Sequence, residues 1–551
     1  MIDKIKKHAF LRFLLIIAAS VFASLFLFKK GIFYGHDLEY HLSRIESIAE
    51  CIKIGDLKAV IHEGYNGYGY PNGLCYSNIF LYLPALMLLL GVNAIVTYKI
   101  YILLITFATG LVMYYCTYKI TKSEFAATVS AVVYVTSSYR ICDVMVRAAL
   151  GEVMAFLFVP VIILGLYYII YDDYKKYYVF TLGFVGLLLS HLITTFIMVF
   201  VSIVFIVINY EKLFDERKRI LYFIYSAVWG VLLSAFFLFP FLEFYLKTDI
   251  NVKYRNNPVI TMDFFQSLSG IPKFTTVFVA PGIGLLFAYF IYNYIYVEVK
   301  EKKFFSFEGM SNIIGVLILV MIAVMPWAEL GKVVAFIELT WRFFVPVLAL
   351  FSISGGYYFE KYIGFRKYSG LIAVAIPAVA ILLTLVYQVC SVKHQLTYYD
   401  FETPYYMTKA DSYPMTMDEY YSSSMDIELL YEDEREPKCN NPDIVFDFED
   451  KGSILYLEYN NNDRPDSYID IPQLYYIGFK AIDVYDKKTF AISDGYNKWI
   501  RVWLGTCDSA NIKIYYRGTN ILVFSYLLSL CSWIGFIIYR SVISRKKDNK
   551  E

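Results

Sequence analysis

Paired cysteines are missing from this chain. Its eight cysteines (Cys51, Cys75, Cys116, Cys142, Cys390, Cys439, Cys507 and Cys531) contain no C-x-x-C pair, and its six histidines form no zinc-binding pattern. Neither a zinc site nor thiol redox chemistry is therefore signalled, and the spacing supports no disulfide among Cys390, Cys439 and Cys507. Net charge is almost absent too: +1 over 551 residues excludes the basic surface that nucleic acid requires. There is no internal repeat, heptad array or low-complexity tail. No small-residue cleavage site followed by a soluble domain comes after Lys4, Lys6, Lys7 and their long apolar run. That run reads as a retained first span rather than a signal peptide.

What is present is apolar surface. The chain is 58% hydrophobic and 19% aromatic, with a mean hydropathy of +0.50. Soluble globular chains sit near ~45–50% apolar, so the excess places this one in lipid. Its 53 tyrosines suit a protein with many membrane–water boundaries. Candidate spans lie near 9–28, 94–116, 124–138, 151–170, 177–190, 192–209, 220–240, 277–297, 311–326, 343–358, 369–389 and 519–539. The run 78–91 is short and contains Pro84. Cytoplasmic loops collect Lys and Arg. If 78–91 does not cross, the basic loops at Lys119/Lys122, Lys175/Lys176, Lys212–Arg219, Lys300–Lys303 and Arg366/Lys367 all fall on the side of both termini. That arrangement predicts about twelve spans with both termini cytoplasmic.

The expected architecture is thus an α-helical polytopic membrane protein with a small extracytoplasmic β domain before its last helix. Residues 1–389 form the membrane domain, with 29–93 as its first external loop. Residues 390–518 form the β domain, and 519–551 the last span and basic tail. Period-two alternation in Ser453–Tyr459, Trp499–Leu504 and Asn511–Tyr516, between turn signals, predicts antiparallel strands.

Polar residues cluster outside the predicted spans. In the stretch Gly35–Arg44 are His36, Asp37, Glu39, His41 and Arg44. On a helix, Asp37, His41, Arg44 and Ile48 share a stripe beside the apolar Leu42, Ile45, Ala49 and Ile52. Such a helix would lie along the membrane and hold its acid toward a lipid-borne substrate. A capping aspartate in a helix's first turn would look the same. Tyr68 and Tyr70, within a glycine-rich loop, offer flat faces suited to sugar rings or anchor the loop at the interface. Arg140, Asp143 and Arg147 are spaced i, i+3, i+7 and so face one way, with Glu152 beyond them as an ion-pair partner. Arginine's planar fork suits phosphate, while a salt bridge between helix ends is the alternative. Arg342, accompanied by Trp341 and Glu338, sits at a predicted outer boundary. His191 stands at an outer turn and is read as structural.

The ordered set Gly35–Glu46, Gly67–Pro71, Tyr139–Asp143, Arg147–Glu152 and Trp341–Phe343 resembles bacterial membrane proteins labelled 6-pyruvoyl-tetrahydropterin synthase-related. Those are similar to the YfhO-like family linked to glycosylation of lipoteichoic acid. The likeness runs across most of the chain. Both groups look related to the GT-C superfamily of polytopic glycosyltransferases, whose members carry a catalytic acid in the first external loop. Asp37-Leu38-Glu39 fits that acid motif as D-x-E. The resemblance implies that Asp37 is the base or metal-contacting acid, seconded by Glu39, and that the external arginines hold a lipid phosphate. The expected partners are a polyprenyl-phosphate sugar donor, a cell-surface glycan or lipid acceptor, and membrane lipids. No organic cofactor is signalled, and a divalent metal ion at Asp37 and Glu39 is left open, because two carboxylates alone do not specify one. The expected function is an inverting glycosyltransferase at the outer membrane face. The alternatives are a lipid transporter or flippase, or a non-catalytic scaffold for cell-envelope assembly.

Overall fold

The computed structural model describes residues 9–365, apart from 34, 63, 65–66, 255–258, 262–283 and 304, and residues 418–548, apart from 433, with 379, 382 and 398–399 between them. The chain forms two compact units. The first comprises Met1–Leu38, Ile95–Gly230 and Asn256–Thr403; the second comprises Glu39–Ala94, Val231–Arg255 and Pro404–Glu551.

The first unit is helical because its apolar runs must satisfy their own backbone groups in lipid. Five of its helical stretches are long and apolar enough to cross a bilayer: Ala94–Thr121, Glu124–Arg147, Leu150–Tyr171, Phe307–Val324 and Thr340–Phe365. Asn520–Val542 in the second unit is a sixth, and the bent pair Lys218–Leu233 and Ala235–Lys247 is a seventh if counted as one span. The protein is a multi-pass membrane protein with fewer full-length spans among the described residues than the twelve expected. One of the expected runs turns early. The predicted span 177–190 is the helix Tyr178–Leu188, 11 residues long, and at about 1.5 Å per residue it covers roughly half the hydrocarbon core. Ala9–Ala23 and Leu192–Ile208 are apolar but short, and 369–389 falls almost entirely outside the described residues. Small residues let neighbouring helices meet closely. A Cβ on Gly165 would lie 2.4 Å from Phe180 Cα, so Leu150–Tyr171 and Tyr178–Leu188 touch backbone to backbone there. The short strands β1 (Ile32–Phe33) and β2 (Tyr398–Tyr399) pair antiparallel within this unit.

The second unit carries an antiparallel sheet of eight strands: β3 (Lys438–Cys439), β4 (Val445–Asp450), β5 (Ile454–Asn460), β6 (Tyr468–Leu474), β7 (Phe479–Asp483), β8 (Thr489–Asp494), β9 (Trp499–Trp503) and β10 (Ala510–Tyr516), ordered β3-β6-β9-β8-β7-β10-β5-β4. All three segments read from alternation lie in it, as β5, β9 and β10. Leu455, Leu457 and Tyr459 of β5, with Ile512, Ile514 and Tyr516 of β10, point into one core with Trp499. Register shifts in β6 between Ile471 and Leu474, around Pro472, which has no N–H to give a ladder. Cys439 and Cys507 are free thiols, and Cys390 lies outside the described residues.

The helix Leu38–Lys53 forms as expected, but its polar stripe is not left to solvent. His41 is buried, and Arg44 is 2% exposed. The glycine-rich loop is likewise spent on packing. Tyr68 and Tyr70 are buried in the core of this unit, Tyr68 against Trp499 with ring centroids 5.5 Å apart and Tyr70 edge-on to Tyr421. Neither ring presents a face to a sugar, which corrects that reading: the loop is drawn inward because Leu474 N–H donates to Tyr68 O at 2.7 Å. Gly69 makes the approach feasible. Its φ is +87°, and a Cβ there would meet the Gln473 amide. Gly69→Ala is expected to cost about 1–3 kcal/mol, seen as a lower unfolding temperature of the solubilised protein.

Candidate functional site

Asp37, with its neighbour His36, is held by backbone. His36 N–H donates to Val146 O at 3.1 Å and Asp37 N–H to Arg147 O at 2.8 Å. The acceptor segment Asp143–Arg147 is a π turn, closed by Ala148 in the left-handed region at φ +51°. A Cβ-bearing residue is strained there by about 1–3 kcal/mol, and such wide turns recur at functional sites. The turn places Arg147 beside the loop that carries Asp37.

Arg147 gathers the acids. Its Nη1 donates to Asp143 Oδ1 at 2.6 Å, Glu152 Oε2 at 2.7 Å and the Tyr139 hydroxyl at 3.0 Å. Tyr139 in turn donates to Glu152 Oε1. Nε and Nη2 of Arg147 have no acceptor among the described residues. Arg342 Nη1 donates to Glu338 Oε2 and to Ile337 O, both at 2.8 Å, and its Nε stands 3.8 Å from Glu152 Oε2. Glu152 is thus the hinge of the cluster, joining residues far apart in sequence.

Asp37 itself is half-buried, and its carboxylate has no hydrogen-bond or ion-pair partner among the described residues. Burial raises its pKa above the ordinary carboxylate value, while Arg147, His36 and Arg342 pull it back down. Burial lowers the His36 pKa, and Arg147 adds to that. A lone carboxylate with a raised pKa beside guanidinium groups is suited to accept a proton while an anion forms next to it.

The other expected site residues divide. Arg140 makes no hydrogen bond or ion pair with Asp143, Arg147 or Glu152 among the described residues. It is fully buried, donates from Nη2 to Thr106 Oγ1 at 3.0 Å, and lies 5.8 Å from the Phe156 ring centre. Glu39, His41, Arg44, Tyr68 and Tyr70 belong to the second unit. Sequence reasoning missed Tyr139, although it lay inside a segment singled out; His191, read as structural, caps a helix. His191 packs on Gly151, where a Cβ would meet its ring at 3.3 Å, and interacts electrostatically with Glu152, Arg342 and Arg147. Burial pushes its pKa to about 3, so it acts as a neutral ring, capping Leu192–Ile208 through Nδ1. Its only sequence signal was a histidine at a turn between two apolar runs. The spans were also expected to be nearly free of charge; instead Arg140, Asp143, Arg147, Glu152 and Arg342 fall within candidate spans. They are tolerated there by mutual pairing or, for Arg140, by Thr106 and the Phe156 ring.

A divalent ion fits this set poorly. No group of three or more His, Cys, Asp or Glu side chains that would hold a metal occurs among the described residues. Asp143 and Glu152 are already ion-paired with Arg147.

No family model matches the chain. A protein of Lactococcus lactis subsp. cremoris (strain MG1363), described as uncharacterized, is 22% identical over 354 residues, 59% of this chain and 56% of that protein. The chain thus aligns with little more than half of that relative. Two structures of an Archaeoglobus fulgidus oligosaccharyltransferase, one apo and one in complex with an inhibitory peptide and a dolichol-phosphate, are 12% identical. Each alignment covers 70% of this chain and 56% of that chain, with a TM-score of 0.42. A likeness at that level bears on neither fold nor chemistry.

Proposed function

We propose that the protein is a membrane glycosyltransferase of the GT-C type that moves a sugar from a polyprenyl-phosphate donor to a cell-surface glycan or lipid acceptor. The observation that carries the reading is the unpartnered carboxylate of Asp37 beside Arg147, whose Nε–Nη2 edge is open. Ionised Asp37 takes the proton of the acceptor hydroxyl as its oxygen attacks the anomeric carbon. The bond from that carbon to the phosphate oxygen breaks with inversion, and the leaving phosphate carries its negative charge to Arg147 and Arg342. The distribution of Lys and Arg along the loops supports an extracytoplasmic site with cytoplasmic termini. A second reading, a lipid transporter, draws on the charged residues inside the candidate spans. It differs in needing no proton acceptor at position 37.

The test is sugar transfer by the purified protein from a synthetic polyprenyl-phosphate sugar, followed against pH. A base must be ionised, and burial raises the Asp37 pKa, so the acid limb is expected above the ordinary carboxylate range of about 4. Arg342 lowers that pKa, so Arg342→Gln is expected to move the limb to higher pH. No transfer at any pH with donor and acceptor present, or a limb indifferent to Arg342, would count against this mechanism.

A further inference from the structure

The second unit contains a cavity that the proposed chemistry does not use. It has a volume of about 520 Å³ and is lined by Lys58, Ser77, Asn78, Phe236, Leu530 and Trp533, among others. Its walls are tied together. The helix break at Ser234 leaves Leu233 O without its ordinary partner, and Ser529 Oγ at 2.6 Å and Trp533 Nε1 at 3.1 Å donate to it from the last helix. Tyr82, the first residue of the short helix Tyr82–Leu89, lines the cavity as well. Eight residues rise about 12 Å, too little to cross the core. This helix is pinned by the Tyr82 hydroxyl donating to Leu57 O at 2.6 Å and by Asn78 Nδ2 donating to Ala59 O at 2.8 Å.

The two ends differ in chemistry. At one end, Lys58 Nζ is aimed by a 2.5 Å hydrogen bond to Arg517 O. Directly behind the lining residues Ser77 and Asn78 is Arg44, donating to Ser77 O and Asn78 Oδ1 at 3.3 Å each. Arg44 is 2% exposed and lies over Tyr76, with no carboxylate in ion-pair reach among the described residues. The rest of the cavity follows the last helix. Trp533 lies 16 residues beyond Arg517, some 20–24 Å at a helical rise, which is most of the way through a hydrocarbon core of about 30 Å. Asp56 stands beside Lys58, accepting its backbone N–H at 3.3 Å, so this end carries the cations Lys58 and Arg44 against one carboxylate. A net-positive mouth on an apolar trunk is complementary to an anionic head on a hydrocarbon chain. The volume of about 520 Å³ falls within the ~300–1,000 Å³ range of small-ligand pockets, and the exposed Leu530 leaves it open along the last helix.

We infer that this cavity seats a single-chain lipid phosphate, its phosphate at Lys58 and its chain between Phe236, Leu530 and Trp533. The inference does not rest on the sugar-transfer reading and is tested without it. The full-length protein in detergent is titrated with hexadecyl phosphate and with hexadecanol, and occupancy is read by native mass spectrometry. One hexadecyl phosphate per chain is expected, with the alcohol about tenfold weaker for want of a charge-assisted hydrogen bond. Lys58→Gln is expected to bring the phosphate down to the alcohol's affinity, Lys58→Arg to preserve it, and Leu530→Trp, which fills the trunk from an exposed position, to lose both ligands. Lys58→Gln binding as well as the parent would overturn the site, as would displacement of hexadecyl phosphate by an equal concentration of two-chain phosphatidylglycerol.

Discussion

Asp37→Asn is expected to lower the rate of sugar transfer by about 10²–10⁴-fold, the contribution of a positioned general base. Asparagine has nearly the same volume and keeps the backbone N–H that Asp37 donates to Arg147 O. No side-chain hydrogen bond or ion pair of Asp37 is lost, because none exists among the described residues. Expression and unfolding temperature should therefore match the parent, so a loss of rate reports on chemistry rather than folding. The measurement is the initial rate with saturating donor, beside a thermal scan of the same preparation. Full activity in Asp37→Asn would remove the residue from the mechanism and leave the lipid-transport reading standing.

Arg147→Met should act on the fold. It leaves Asp143 and Glu152, both fully buried, without the guanidinium that pairs with them at 2.6 and 2.7 Å. Breaking a buried ion pair from one side costs about 3–5 kcal/mol, because the remaining charge stays desolvated. Arg342, at 3.8 Å from Glu152, relieves only part of this. The variant is expected to melt well below the parent. Adding Glu152→Gln to Arg147→Met removes one of the two buried orphans and should restore part of the stability without restoring transfer. If Arg147→Met melted with the parent, the cluster would hold no buried ion pair worth the name. If the double variant transferred sugar, Arg147 would have no part in holding the leaving phosphate.

The β strands were legible because alternation is a local signal: Ile512 and Ile514 face inward whatever their partners are. The helices were legible as apolar runs, but their lengths were not. A turn such as Ser190-His191 is a matter of capping and packing, not of average hydropathy. The spacing of Arg140, Asp143 and Arg147 put all three on one face, but Arg140 donates to Thr106, which lies 34 positions earlier in the chain and which spacing could not reveal. Tyr68 and Tyr70 suited either a sugar platform or an interface anchor by sequence, and Trp499, more than 400 positions away, packs on Tyr68 instead.

Composition and periodicity along the chain were enough to place this protein in lipid, to separate a strand-rich segment from the apolar helices, and to single out Asp37, Arg147, Glu152 and Arg342. Those properties depend on neighbours a few residues apart. The convergence of Glu152 with Arg147 and Arg342, the strained turn that offers Asp37 its backbone acceptor, and the cavity beside Trp533 were decided in three dimensions. Each needs segments tens to hundreds of residues apart to meet, and no local preference of the chain encodes which of them do.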